Sequence, residues 1–168
     1  VSGAGRHHRL QSRASYCVLG CGEIVASRRA QPFDQVAVAG VLSGSRRGFA
    51  LQDLRGVLGA GVTFVPSDPD EPTTLAYIEA QLGGGAYVIA QVFVAELVKS
   101  MRRQGTAVDE PHGPLGGTLH CVVLVEAAPS SGEVLYLDPF FGPEGQPLRL
   151  LRTELASALQ SDLLIVLP

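Results

Sequence analysis

Leu119-His-Cys-Val-Val-Leu-Val-Glu126, Ala127-Ala-Pro-Ser-Ser-Gly132 and Glu133-Val-Leu-Tyr-Leu-Asp138 follow one another without a break. The first and third segments are apolar and strand-like, and the second supplies Pro, Ser and Gly for a turn. That order predicts an antiparallel hairpin. Two polar side chains interrupt it: His120 near its start and Asp138 at its end. The hairpin brings position 138 back toward position 120. Whether the two side chains share a face depends on the register, because a one-residue slip flips every side chain.

Upstream of the hairpin, Tyr87-Val-Ile-Ala-Gln-Val-Phe93 is a second β run, set off by Gly83–Gly85. A helix is predicted before it, opening at Pro72 or Thr73 and running through Leu82. Glu96 to Arg103 reads as a further helical turn or two. Gly61 to Val65 reads as a short extended segment, and Phe49 to Leu58 as a short helix stopped by Gly59. Residues 31–48 read as a loop containing one apolar run, Val36–Leu42. Downstream, Pro139 to Pro147 is a loop, Thr153 to Leu159 a short helix, and Leu163 to Leu167 a terminal strand. Helices gather early and strands late. That segregation points to an α+β fold and not to repeated βαβ units.

Near the start, Cys17-Val-Leu-Gly-Cys-Gly-Glu-Ile-Val-Ala-Ser-Arg-Arg-Ala30 has helical periodicity. Cys17, Cys21, Ile24 and Arg28 recur at helical spacing, and Val18, Leu19 and Val25 widen the apolar face. Gly20 and Gly22 lower the propensity, so close packing against neighbouring strands is expected to stabilise the segment. Ser15 is a candidate N-cap, which places Cys17 in the first turn. Residues 1–10 are polar and basic and read as a flexible lead-in to one domain spanning 1–168.

These residue types suit nucleophilic acyl transfer. A helix N-terminus favours the thiolate at Cys17. An imidazole at His120 can hold that thiolate and protonate a leaving amine. A carboxylate at Asp138 can orient the imidazole. Gln11, six residues before Cys17, can donate its amide to an oxyanion together with the Cys17 N–H. Cys21, one turn on, is a rival nucleophile. Strand alternation sets Cys121 on the opposite face from His120, where it reads as packing. His112, in Glu-Pro-His-Gly-Pro, reads as a surface histidine, and His7 and His8 as part of the lead-in.

The segment Gln11-Ser-Arg-Ala-Ser-Tyr-Cys17 resembles the glutamine-to-cysteine segment of papain-like cysteine peptidases. Cys17-Val-Leu-Gly-Cys-Gly-Glu-Ile is similar to the start of their central helix, and Gly116-Gly-Thr-Leu-His120-Cys-Val-Val-Leu-Val to their histidine strand. Gly132-Glu-Val-Leu-Tyr-Leu-Asp138-Pro-Phe resembles the strand ending in Asp-Pro of the bacterial branch. That branch includes bacteriocin-leader-processing peptidases and papain-like effector proteases. The resemblance implies a papain-like α+β fold, with the cysteine helix packed on a C-terminal antiparallel sheet. It implies Cys17 as nucleophile, His120 as general base and acid, Asp138 as its orienting partner and Gln11 in the oxyanion hole. The implied activity is hydrolysis of a peptide or related amide bond, without metal or cofactor. Two readings stand beside it: an acyltransferase using an amine acceptor, and a non-catalytic papain-like binding module. Val18 stands where many relatives carry Trp or Gly, and no Trp occurs in the chain.

Composition narrows the alternatives. The chain has 168 residues, 46% hydrophobic and 17% charged, enough apolar material for a substantial core. Residues 1–60 carry eight Arg and three acids, a net of +5, but the Arg residues are scattered without interleaved aromatics. This is not a nucleic-acid footprint. No apolar run is long enough to span a bilayer, and no signal-peptide pattern is visible. Three cysteines do not make a disulfide scaffold, and their spacing to histidine matches no zinc site. Gly83-Gly-Gly lacks the Lys-Ser/Thr of a phosphate loop, and Asp68-Pro-Asp-Glu is too compact for a calcium loop. A peptide or protein substrate is the expected partner.

Overall fold

A computed structural model of the chain describes residues 16–42, 49–66, 75–106, 119–128, 130–141 and 146–168. Strands β1 (Val62–Val65), β2 (Tyr87–Phe93), β3 (Leu119–Ala128), β4 (Glu133–Leu137), β5 (Leu148–Leu151) and β6 (Leu159–Val166) form one sheet. Its order is β1-β6-β2-β3-β4-β5, and each pairing is antiparallel. The helices are α1 (Cys17–Arg28), α2 (Gln35–Val41), α3 (Asp53–Leu58), α4 (Leu75–Gly83), α5 (Val94–Arg103) and α6 (Arg152–Ala158).

Strand alternation divides the core into two layers. Leu19, Ile24 and Val25 of α1 and Leu54 of α3 pack with Ile89, Val123, Leu137 and Leu164 on one face. Ile78 of α4, Leu97 and Met101 of α5 and Leu155 of α6 pack with Val88, Ala90, Val122, Leu124 and Tyr136 on the other. Leu19 and Ile24 are fully buried, each worth roughly 1.5–3 kcal/mol against exposure. The cysteine helix therefore docks on the antiparallel sheet as expected, and the opposite face carries helices of its own.

The predicted hairpin is β3–β4. Its turn closes with Ser131 and Gly132 N–H groups donating to the Ala128 carbonyl, at 3.1 and 3.0 Å. Gly132 takes a positive φ of 67° there, which a residue with a Cβ resists. Beyond the turn the pairing runs Ala128↔Glu133, Ala127↔Val134 and Glu126↔Leu135, then Leu124↔Tyr136 and Val123↔Leu137. Val125 is the extra residue of a β-bulge. The shift matters for parity. Without it, position 138 would lie opposite Val123, and its side chain would turn away from that of His120. With it, the register extended by one residue sets Asp138 opposite Val122, on the same side of the strand as His120.

Three features depart from the sequence reading. The apolar run in residues 31–48, read as a loop, contains helix α2. Asp34 caps it, its carboxylate accepting from Ala37 N–H at 2.7 Å, and Val38 and Ala39 pack against the α1-side core. Leu148–Leu151, read as part of no element, is strand β5, with Leu148 and Leu150 buried and Arg149 exposed. Gly22 does allow close packing, but against Phe33 and Leu54 and not against strands. A Cβ there would lie 2.8 Å from the Phe33 ring and 2.9 Å from a Leu54 methyl. The expected cap Ser15, the lead-in 1–10 and the opening of the helix at Pro72 or Thr73 lie outside the described residues.

Glu154 of α6 ties the helical layer behind the sheet together. Its carboxylate accepts from Ser100 Oγ at 2.9 Å, from Leu151 N–H at 2.9 Å and from Arg103 at 2.8 and 3.0 Å. The Arg103 hydrogen bond, then those from Leu151 and Ser100, hold its carboxyl at about 2 against an ordinary 4.5, although burial opposes the shift. Glu154→Gln is expected to lower the unfolding free energy by about 1–3 kcal/mol at neutral pH. The carboxylate's contribution is complete above its unfolded value near 4.5 and is lost as pH falls toward 2. Urea unfolding at several pH values should therefore show a shallower acid-side decline in the variant than in the parent.

Candidate active site

Helix α1 begins at Cys17. The first intrahelical bond runs from Gly20 N–H to the Tyr16 carbonyl at 2.7 Å. The N–H groups of the first turn, including that of Cys17, thus have no carbonyl one turn back within the helix. They point outward at the positive end of the helix dipole. Arg28 in the last turn complements the other end. Of the three free cysteines, Cys17 is partly exposed, while Cys21 and Cys121 are buried.

His120 and Asp138 meet as their shared side of the hairpin requires. His120 Nε2 lies 2.7 Å from Asp138 Oδ1, with Asp138 fully buried. The same oxygen accepts from Phe140 N–H at 2.8 Å and from Phe141 N–H at 3.0 Å. The turn after β4 therefore fixes the carboxylate before the imidazole is considered. The two phenylalanine rings then close on the histidine edge-to-face, with centroids 6.5 Å and 5.8 Å from the imidazole. They supply the aromatic shelter that the absence of Trp left unexplained. The pair Phe140-Phe141 directly after Asp138-Pro139 was the available signal for it.

Cys17 lies near enough to His120 and Cys121 for both to bear on its ionisation. The Cys121 hydrogen bond is the largest influence lowering the Cys17 thiol, which burial opposes and the His120 hydrogen bond and charge reinforce. The result is about 4 against an ordinary 9.0. For His120, burial favours the neutral ring. The Asp138 charge and hydrogen bond, then Cys17, outweigh it and raise the imidazole to about 10. Cys121 is driven well up by its hydrogen bond to Cys17 and by burial, and Cys21 by burial and the nearby Cys17 charge. At neutral pH the arrangement is one thiolate, one imidazolium and two neutral thiols.

The structure thus brings His120 and Asp138 together, with Cys17 near enough for His120 to lower its thiol. Cys21, the rival nucleophile, is fully buried and neutral. Cys121, read as packing alone, does belong to the α1-side core, and it also bears on the ionisation of Cys17. Its position next to His120 in the sequence was a signal for that influence. Gln11 and His112 lie outside the described residues. Among the described residues no cluster of three or more His, Cys, Asp and Glu side chains could hold a metal ion.

The overall architecture, a cysteine-bearing helix packed on an antiparallel sheet, has a counterpart fold among solved structures. The peptidase domain of Streptococcus ComA, a bi-functional ABC transporter involved in a quorum sensing pathway, matches with a TM-score of 0.59 at 11% identity. The match covers 95% of this chain and 97% of that one. This is a papain-like fold. No protein-family model matches the chain, and no curated protein matches it. The papain-like likeness is thus carried by architecture: α1 with its leading cysteine, and the antiparallel sheet beneath it.

Both shifts favour charge in the folded chain. The Cys17 contribution to stability grows as pH rises above about 4 and is complete above 9.0. The His120 contribution is complete below 6.5 and lost as pH rises through about 10. Asp138→Asn removes the charge that outweighs burial at His120. Its titration midpoint is expected to fall from about 10 toward 6.5 or below, while the Cys17 midpoint rises from about 4. NMR titration of the imidazole and ultraviolet absorbance of the thiolate measure the two. An unchanged His120 midpoint would show that Asp138 does not hold the imidazolium.

Proposed function

We propose that the chain is a cysteine peptidase that hydrolyses a peptide or related amide bond through an acyl-enzyme on Cys17. The observation that carries this reading is the buried His120–Asp138 pair, 2.7 Å apart, beside a Cys17 thiol that the His120 charge helps to lower. The thiolate attacks the carbonyl carbon. Negative charge then develops on the carbonyl oxygen, where the Cys17 N–H and the Gln11 amide serve as donors. His120 gives its proton to the departing amine. Water, deprotonated by the now neutral His120, attacks the thioester and releases the acid and the Cys17 sulfur. Asp138 keeps the ring oriented and stabilises its charged form.

The substrate in this reading is a peptide or protein, and the working unit is one papain-like domain over 1–168. Transfer to an amine in place of water would use the same acyl-enzyme. A binding module that retained the fold would have no use for an ionised thiol against a buried imidazolium, whose desolvation costs several kcal/mol per ion. No helix among the described residues is long and apolar enough to cross a membrane.

Iodoacetamide is expected to alkylate Cys17 faster than Cys21 or Cys121, with a rate that stays high well below the ordinary thiol range. Peptide mapping of partially labelled protein reads this, and equal, slow labelling of all three thiols would sink the reading. Screening a peptide library should then find turnover that Cys17→Ala abolishes without loss of fold. Gln11→Ala should reduce kcat by about 10²–10³-fold, the usual effect of losing one oxyanion donor.

A further inference from the structure

Phe140 keeps 40% of its surface open while its ring stands beside the histidine, centroids 6.5 Å apart and planes at 78°. We propose that Phe140 is a specificity-determining residue: its open side receives the side chain of the residue whose amine departs, and it selects a large apolar group there. The inference rests on the reading of Cys17 as nucleophile and His120 as acid for the leaving amine, and it names a substrate class for that same site.

A single exposed apolar residue ordinarily needs no explanation. This one is held in place. The chain turns at Pro139, whose ring fixes its own φ, and the Phe140 N–H donates to Asp138 Oδ1 at 2.8 Å. The Phe140 ring rests on Phe141, with centroids 4.8 Å apart and planes at 76°. Phe141 is only 6% exposed and belongs to the core cluster behind the sheet. Phe141 is thus the support, and Phe140 is the ring presented to solvent. A fixed aromatic ring offers contact area at little cost in ordering. Leu119 is more exposed, at 49%, and precedes His120 directly. Strand alternation, however, turns it to the opposite face of β3 from His120.

Proton transfer sets the distance. To protonate the leaving group, the imidazole must come within about 2.6–3.2 Å of the departing nitrogen. That nitrogen belongs to the residue after the scissile bond, so the side chain of that residue begins two bonds away. A Leu or Phe side chain there spans the gap to a ring centred 6.5 Å from the imidazole, whereas Gly has nothing to offer it. The contact exists while the C–N bond breaks, so it acts on kcat/KM. The same holds for transfer to an amine, which enters where the first amine left. Its nitrogen bonds to the thioester carbon, the C–S bond breaks, the amine proton passes to the neutral His120, and Cys17 leaves as the thiolate.

The test uses the whole chain and a peptide that it cleaves, remade with Gly, Ala, Leu, Phe, Asp or Lys after the scissile bond. The expected kcat/KM is about 10–100-fold higher with Leu or Phe than with Gly or Asp. The acyl-enzyme should likewise partition to added leucine amide in preference to glycine amide. Phe140→Ala is expected to lose about tenfold more on the Leu and Phe peptides than on the Gly peptide. Phe140→Leu should keep most of the preference, and Phe140→Glu should turn it toward Lys; these two variants decide the matter if Phe140→Ala does not fold. A ring that only shelters His120 would slow all the peptides by one factor, and that result overturns the proposal. So does a parent protein that cleaves them all equally. If the acyl-enzyme forms but does not discriminate among amines, only the assignment of Phe140 fails. If no acyl-enzyme forms, the peptidase reading fails with it.

Discussion

One extra residue in β3 governs the site. The Val125 bulge shifts the β3–β4 register between Leu124 and Glu126, so Asp138 falls on the His120 side of the strand and not on the side of Val123. Core packing holds that register on both faces. Leu124 and Tyr136 are buried behind the sheet, and Val123 and Leu137 beneath α1. A slip would turn all four to the wrong layer and separate the histidine from its carboxylate at the same time. The hydrophobic effect and the polar pair therefore select the same pairing. That agreement is what lets a buried, charged contact form without a cost in specificity.

The ionised groups are stabilised by covalent neighbours as much as by one another. Asp138 Oδ1 is fixed by the N–H groups of Phe140 and Phe141, two and three residues on in the chain. The phenylalanine rings then close over His120. A single tripeptide turn supplies the hydrogen bonds that orient the carboxylate and the apolar walls that exclude water from it. Excluding water strengthens the His120–Asp138 attraction, and it would make an isolated charge there prohibitive. The turn and the histidine strand thus work only as a unit.

Most of this was readable in the residues because the signals were local. The β2 run, the hairpin and the cysteine helix each carry their own periodicity, and His120 and Asp138 stand out because they interrupt apolar strands. What was not readable depended on single atoms or on remote partners. The bulge needs an alignment of two strands that no residue type in Val125-Glu126 announces. Helix α2 is only seven residues long, and its apolar run suits a loop as well as a helix until the Asp34 cap and the contacts of Val38 and Ala39 are known. β5 has four residues and exists because β4 offers it an edge. For Gly22 the glycine argument was right about close approach, but the neighbours are Phe33 and Leu54, which packing alone brings near. Cys121 was assigned to its face correctly. Its influence on Cys17 required knowing where α1 lies over β3.

Three thiols sit close to one another, and electrostatics decides which one can act. Ionising Cys17 puts a negative charge beside the others, and that charge pushes both Cys21 and Cys121 upward. Only one thiolate is then affordable in the cluster. Cys17 takes that state because it combines the helix N-terminus, the His120 charge and a neutral Cys121 donor, none of which is available in full to the other two. The neutrality of Cys121 follows from the same charge: an ionised Cys17 beside it makes a second thiolate costlier, so Cys121 keeps its proton.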